Sequence, residues 1–194
     1  MNSLEGVMVV GLTGQTGAGK TTVCKIFSEN GFSIINADHV ARQVMEKGQP
    51  CLKEICEFFG KDILLENGIL DRPKLAGLVF TDKKKLELLN SITYPYITSE
   101  ILKTIRRLSF QGNKLILLDA PTLFESRADD FCELIISVIS RDNLRLERIV
   151  ERDKISRESA QYRMDSQLKE EFFRQNSDFI IKNDFIEELP QTMK

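Results

Sequence analysis

Short, almost unbroken apolar runs recur along this chain at Val7–Leu12, Phe32–Ile35, Lys114–Leu118, Leu134–Ile139 and Phe179–Ile181. Each is rich in Val, Ile or Leu and lacks the alternation of a half-exposed strand, which predicts strands buried on both faces of a parallel sheet. Between them, apolar and charged positions mix at helical spacing, so helices cover the sheet and the class is α/β. The interval 40–111 departs from this rhythm. Helix-like stretches at Asp38–Lys47, Cys51–Phe59, Lys83–Asn90 and Tyr96–Gln111 are broken by Gly48-Gln49-Pro50, Asn67-Gly68 and Tyr94-Pro95. It is too long for a plain crossover between strands and reads as a helical insertion on the rim of the sheet. A second polar interval, 142–175, carries the string RLERIVERDKISRESAQYR, whose plainest reading is a solvated helical face.

Chemistry enters at the first strand. Residues 14–21, GQTGAGKT, match G-x-x-x-x-G-K-[ST] between an apolar run and a helix bearing Val23, Ile26 and Phe27. Gly14, Gly17, Ala18 and Gly19 let backbone N–H groups curl toward one point, a nest that larger side chains would block. The helix beginning near Lys20 adds its unpaired N-terminal donors and positive dipole end. Lys20 is expected to reach the β- and γ-phosphates of a nucleoside triphosphate and the Thr21 hydroxyl to hold Mg²⁺, with Thr22 beside them.

Other strand ends supply carboxylates. Asp119 closes the run LILLD, where a second carboxylate approaches Mg²⁺, often through water, although aspartate is also a common turn starter. Asp38 follows the second strand, at the sheet edge where ligands bind in open α/β folds. There it is a candidate proton acceptor for an attacking hydroxyl, with a helix N-cap as the alternative. His39 is a weaker candidate base, because the next helical position points elsewhere. Arg148 and Arg152, spaced i, i+4, share one helix face and suit the charge of a transferring phosphoryl group.

Composition narrows the field. In 194 residues, 42% hydrophobic and 29% charged content is ordinary for a soluble domain, and a net charge of −2 argues against coating nucleic acid. Cys24, Cys51, Cys56 and Cys132 show no metal-ligand spacing and read as reduced thiols of a cytoplasmic enzyme. No export signal is expected, and no apolar run approaches the ~20 residues of a membrane span.

Nearly the whole chain resembles the dephospho-coenzyme A kinases. The matching segments are GLTGQTGAGKTTV, IINADHVARQV, NGILDRPKLAGLVFTDKKKLELLNSITYPYI, LLDAPTLFE, RLERIVERDKISRESAQYRMDSQ and SDFIIKN. The loop is shared by many families; the ordered set is specific. The resemblance implies a P-loop kinase fold, a five-stranded parallel sheet flanked by helices. It implies a nucleotide-binding core (1–39, 112–141 and 176–194), a dephospho-CoA-binding helical insertion (40–111) and a lid (142–175). The implied reaction moves the γ-phosphate of ATP, with Mg²⁺, to the ribose 3′-hydroxyl of dephospho-CoA. No nucleic-acid or membrane partner is expected, and the chain is expected to be a monomer or weak oligomer.

By position, Lys20 and Thr21 match the phosphate and metal residues, Asp38 the general base and Asp119 the aspartate of D-x-P. Arg148 and Arg152 match lid arginines, Arg163 and Gln167 the following R-x-x-x-Q, and Asn183 an asparagine near the adenine of ATP. Arg72 and Pro95 fall on the acceptor-binding insertion. Three departures stand out. Asn36 replaces the first aspartate of D-A-D, Tyr94 replaces the histidine of an H-P pair, and the segment ending in EELPQTMK is shorter than the family's final helix. The competing readings are another small-molecule P-loop kinase, with a nucleotide or sugar acceptor, and a nucleotide-dependent switch. The switch fits poorly, because NKLI at Asn113 lacks the aspartate of a guanine-binding N-K-x-D.

Overall fold

The computed structural model describes residues 6–184; the C-terminal segment ending in EELPQTMK lies outside them. Strands β1 (Met8–Gly14), β2 (Ser33–Asn36), β3 (Leu115–Asp119), β4 (Leu134–Ile139) and β5 (Phe179–Lys182) form one sheet in the order β2-β3-β1-β4-β5. Every adjacent pair is parallel. All the expected strands are present; the central strands β1, β3 and β4 are largely buried, while the edge strands β2 and β5 are more exposed. On β3, Ile116 and Leu118 join one core cluster while Leu117, between them, joins the other. The chain leaves β1 toward β2 and β3, then crosses from β3 to β4 on the other side. The carboxyl end of β1 therefore lies where the winding reverses, the place where open α/β sheets form their ligand crevice.

Helix α1 (Lys20–Glu29) follows β1, and α2 (Ala37–Val44), α3 (Pro50–Phe59), α4 (Arg72–Val79) and α5 (Lys83–Phe110) lie between β2 and β3. These last four do more than sit on the rim. Ile55, Ile92, Ile101 and Ile105 are fully or almost fully buried and share a single cluster with Val9, Ile35, Ile116 and Leu118 of the sheet. At roughly 1.5–3 kcal/mol for each large aliphatic side chain removed from water, this shared core makes the insertion one body with the sheet.

Two local expectations need correction. The Tyr94-Pro95 pair does not end a helix: α5 runs unbroken through Pro95 for 28 residues. Proline at 95 removes the N–H that would bond the Ser91 carbonyl. Both residues are exposed, so water can reach that carbonyl, while neighbouring Ile92 and Thr93 are buried. Helix α4, for which the sequence pattern gives no signal, forms because the Asp71 side chain accepts from Lys74 N and Leu75 and Val79 bury one face. Its interior Gly77 obscures the periodicity. The polar interval after β4 forms three helices, α6 (Asp142–Asp153), α7 (Arg157–Asp165) and α8 (Glu170–Asn176), joined by short non-helical links at 154–156 and 166–169. Among the described residues, no helix is long and apolar enough to cross a membrane.

Candidate active site

The glycine-rich loop begins where β1 ends, and its glycines are imposed by contact as well as by conformation. Gly14 has φ +137°, and a Cβ there would lie 2.1 Å from the Val138 carbonyl oxygen on the neighbouring strand. Gly19 has φ +91°, and a Cβ would lie 2.1 Å from Asn183 Nδ2. No side chain caps α1, which leaves its opening N–H groups and dipole for an anion.

A cleft of about 660 Å³ opens over this loop. It brings together Gly14, Gly17, Gly19, Lys20 and Thr21 of the loop, Asp38 of α2, Asp119 of β3, and Arg148 and Arg152 of α6. Sequence-distant candidates thus meet at one point. Ala18 lies buried beneath the loop, and exposed Thr22 sits on α1 outside the cleft lining.

Asp119 is the hub of the cleft floor. It is 9% exposed; Lys20 Nζ donates to its Oδ1 and Asn36 Nδ2 to its Oδ2, both at 3.1 Å. The Cys24 thiol, one helical turn beyond Lys20, is pushed up to about 12 by burial and by the Asp119 carboxylate. It is a protonated packing group, not a nucleophile.

The structure separates Asp38 from the capping role. Helix α2 starts at Ala37, and Asn36 is its N-cap, with Oδ1 accepting from His39 N at 2.8 Å. Asp38 is exposed in the first turn and lines the cleft. Among the described residues its carboxylate has no hydrogen-bond or ion-pair partner. His39 is exposed and outside the cleft lining.

Helix α6 holds the loop through backbone. Arg145, 2% exposed, donates from Nε to the Thr16 carbonyl at 3.0 Å and from Nη1 to Asp142 Oδ1 at 2.8 Å. Burial pulls its guanidinium below its usual value, and Asp142 opposes that. The Thr16 N–H in turn donates to Gln167 Oε1 at 2.8 Å. Arg148 Nη1 donates to the carbonyls of Gly17 and Asn183, at 3.3 and 3.2 Å, and Asn183 Nδ2 donates to Ala18 O at 2.9 Å. Sequence reasoning missed Arg145. Its signal was a cation one turn before Ile149, on the apolar stripe of α6, where Ile149 is fully buried.

Arg152 is exposed at the cleft wall, and both its Nε and Nη2 donate to Asp153. Arg163 Nη1 pairs with the same carboxylate. These hydrogen bonds, chiefly from Arg152, hold Asp153 at about 2 instead of 3.8. The remaining candidates lie outside the cleft lining. Arg72 opens α4 and its Nη2 donates to the Arg42 carbonyl at 3.2 Å. Pro95 is exposed on α5, and beside it Tyr94 is half-buried, its phenol pushed up by burial and by Glu125.

Among the described residues, no group of three or more His, Cys, Asp or Glu side chains could hold a metal ion unaided. The Thr21 hydroxyl and the Asp119 carboxylate both line this cleft, and such a sparse pair of donors suits a Mg²⁺ that arrives already bound to phosphates and keeps several waters.

A family model described as dephospho-CoA kinase matches residues 8–188. A dephospho-CoA kinase of Listeria innocua is 40% identical over 185 residues, spanning 95% of this chain and 92% of that protein. Among solved structures, a Thermus thermophilus protein superposes with a TM-score of 0.82 at 26% identity, over 93% of this chain and 91% of its own. A dephospho-CoA kinase from Campylobacter jejuni does so at 0.68 and 31% identity, over 92% and 89%.

Proposed function

This chain belongs to the dephospho-CoA kinase family, and we propose that the cleft over the glycine-rich loop is where it phosphorylates dephospho-CoA. The chain is an ATP-dependent kinase that converts ATP and dephospho-CoA to ADP and CoA. The observation that carries the site assignment is the convergence of Lys20, Asp119 and an uncapped α1 beside Asp38, a carboxylate that makes no hydrogen bond or ion pair among the described residues.

In this reading the loop N–H groups and Lys20 bind the triphosphate. Lys20 leaves Asp119 to follow the charge that builds on the β–γ bridging oxygen as that bond breaks. Asp38 accepts the proton of the ribose 3′-hydroxyl while the hydroxyl oxygen forms the new bond to the γ-phosphorus, and ADP departs. Thr21 and Asp119 would hold Mg²⁺, which when bound supplies further neutralisation of the phosphate oxygens. Asn183, fixed to the loop at Ala18, lies near the adenine. The helices of 40–111, with Arg72, Tyr94 and Pro95, take the rest of the acceptor, and 142–175 acts as the lid. The four free cysteines suit a reducing cytoplasm, and the chain works as a monomer or weak oligomer.

Measuring ADP release with dephospho-CoA, adenosine, AMP and shikimate as acceptors tests the assignment. Dephospho-CoA is expected to be turned over far faster than the others. Preference for any other acceptor would transfer the cleft to another small-molecule kinase activity.

The lid gives a further expectation. Arg148→Ala and Arg152→Ala are expected to lower kcat more than they raise the KM for dephospho-CoA, because both arginines act on phosphates as charge shifts. Equal change in both constants, or none, would leave Arg148 only the bracing of the loop and Arg152 only its pairing with Asp153.

A further inference from the structure

We propose that Asn36 is a positioning residue for phosphoryl transfer, fixing Asp119 and the first turn of α2 in one register through opposite ends of a single amide. Its Oδ1 accepts from His39 N at 2.8 Å, and its Nδ2 donates to Asp119 Oδ2 at 3.1 Å. The two partners demand opposite polarity. A backbone N–H requires an oxygen and a carboxylate requires a donor, so the orientation of the amide is determined at both ends. The backbone makes the bridge short: Asn36 is paired in register with Asp119 where β2 and β3 end. Asp38 lies in the turn of α2 that the same side chain caps.

The bridge has a specific consequence for Lys20. Asp119 presents one oxygen to Lys20 and one to Asn36. With the amide gone, the second oxygen is free to turn toward Lys20, and the carboxylate holds that ammonium more completely and away from phosphate. Asn36 acts through Asp119 and Lys20 and by steadying the helix that presents Asp38. It need not touch substrate. Residues that orient a site's own ligands in this way are worth ~10- to 100-fold in activity or metal affinity.

Asn36→Ser separates the two ends. Serine is an equally good N-cap but is too short to donate to Asp119, and it adds no charge. Asn36→Asp is the less clean variant, because it sets two carboxylates side by side. The inference rests on the phosphoryl-transfer reading, so the test has one arm that is independent of turnover. In nucleotide-free protein, the Asn36 side-chain amide protons are expected to be protected from exchange by NMR, and Asp119→Asn is expected to remove that protection. Asn36→Ser is expected to remain folded with a melting temperature lower by only about a few degrees, and to lower kcat for dephospho-CoA by ~10-fold or more, with the KM for ATP within ~2-fold. Combined with Asp119→Asn, it is expected to add almost nothing to the loss from Asp119→Asn alone. Wild-type kcat in Asn36→Ser, fully additive losses, or unprotected amide protons would each overturn the proposal. Protection without any dephospho-CoA turnover by the wild type would instead overturn the functional reading and leave the hydrogen bond standing.

Discussion

Lys20→Ala is expected to reduce turnover by ~10²-fold or more, the scale on which a preorganised charge at a transition state acts. Lys20 is the cation at the open end of α1, and its present partner Asp119 shows how far its ammonium extends over the cleft floor. In the proposed role of Lys20, alanine removes the point charge that the loop brings to the β–γ linkage. The fold should survive. Asp119 keeps its bond from Asn36, and leaving a charged acceptor half-satisfied costs ~1–3 kcal/mol. The measurement is kcat with dephospho-CoA alongside a thermal melt. A variant retaining more than about a tenth of the wild-type rate constant, a barrier change under ~1.4 kcal/mol, would remove the loop from the reaction.

The second large effect is expected at Asp38. Asp38→Asn keeps the size and polarity of the side chain and removes only its ability to take a proton. Because Asn36 is the N-cap of α2 and Asp38 makes no hydrogen bond or ion pair among the described residues, the variant should melt with the wild type and bind ATP as well. Its rate constant should fall by ~10²-fold or more, the usual scale for losing a general base. Pre-steady-state phosphoryl transfer with dephospho-CoA reads this step directly. A near-normal rate would strip Asp38 of the base role.

How far the sequence could reveal this site depended on the kind of signal each residue left. The loop was legible because glycine, lysine and threonine at fixed spacing describe a backbone shape. The central strands were legible because burial on both faces leaves an unbroken apolar run. Asp38 was ambiguous because aspartate suits an N-cap as well as a base, and the residue that takes the cap, Asn36, stands out in the sequence only as a departure from D-A-D. The ambiguity is resolved by where β2 stops, and that is set by its pairing with β3 at Asp119, a contact between distant residues. Arg148 posed the same difficulty. Its carbonyl partners, Gly17 and Asn183, lie far along the chain and are backbone atoms, which carry no sequence signature. Proline at 95 misled because the rule that it breaks helices assumes the orphaned carbonyl is buried; here that carbonyl belongs to exposed Ser91.

The grip of Arg145 and Gln167 on Thr16 bears on the thermodynamics of the closure proposed for 142–175. These residues stand near the two ends of the segment that carries Arg152 and Arg163, so that segment is an arch with both feet on the nucleotide loop. An arch pinned at both feet has few configurations to surrender when it folds down over a ligand. Little of the binding free energy is then consumed as lost conformational entropy. What remains is available to the transition state, where it raises kcat.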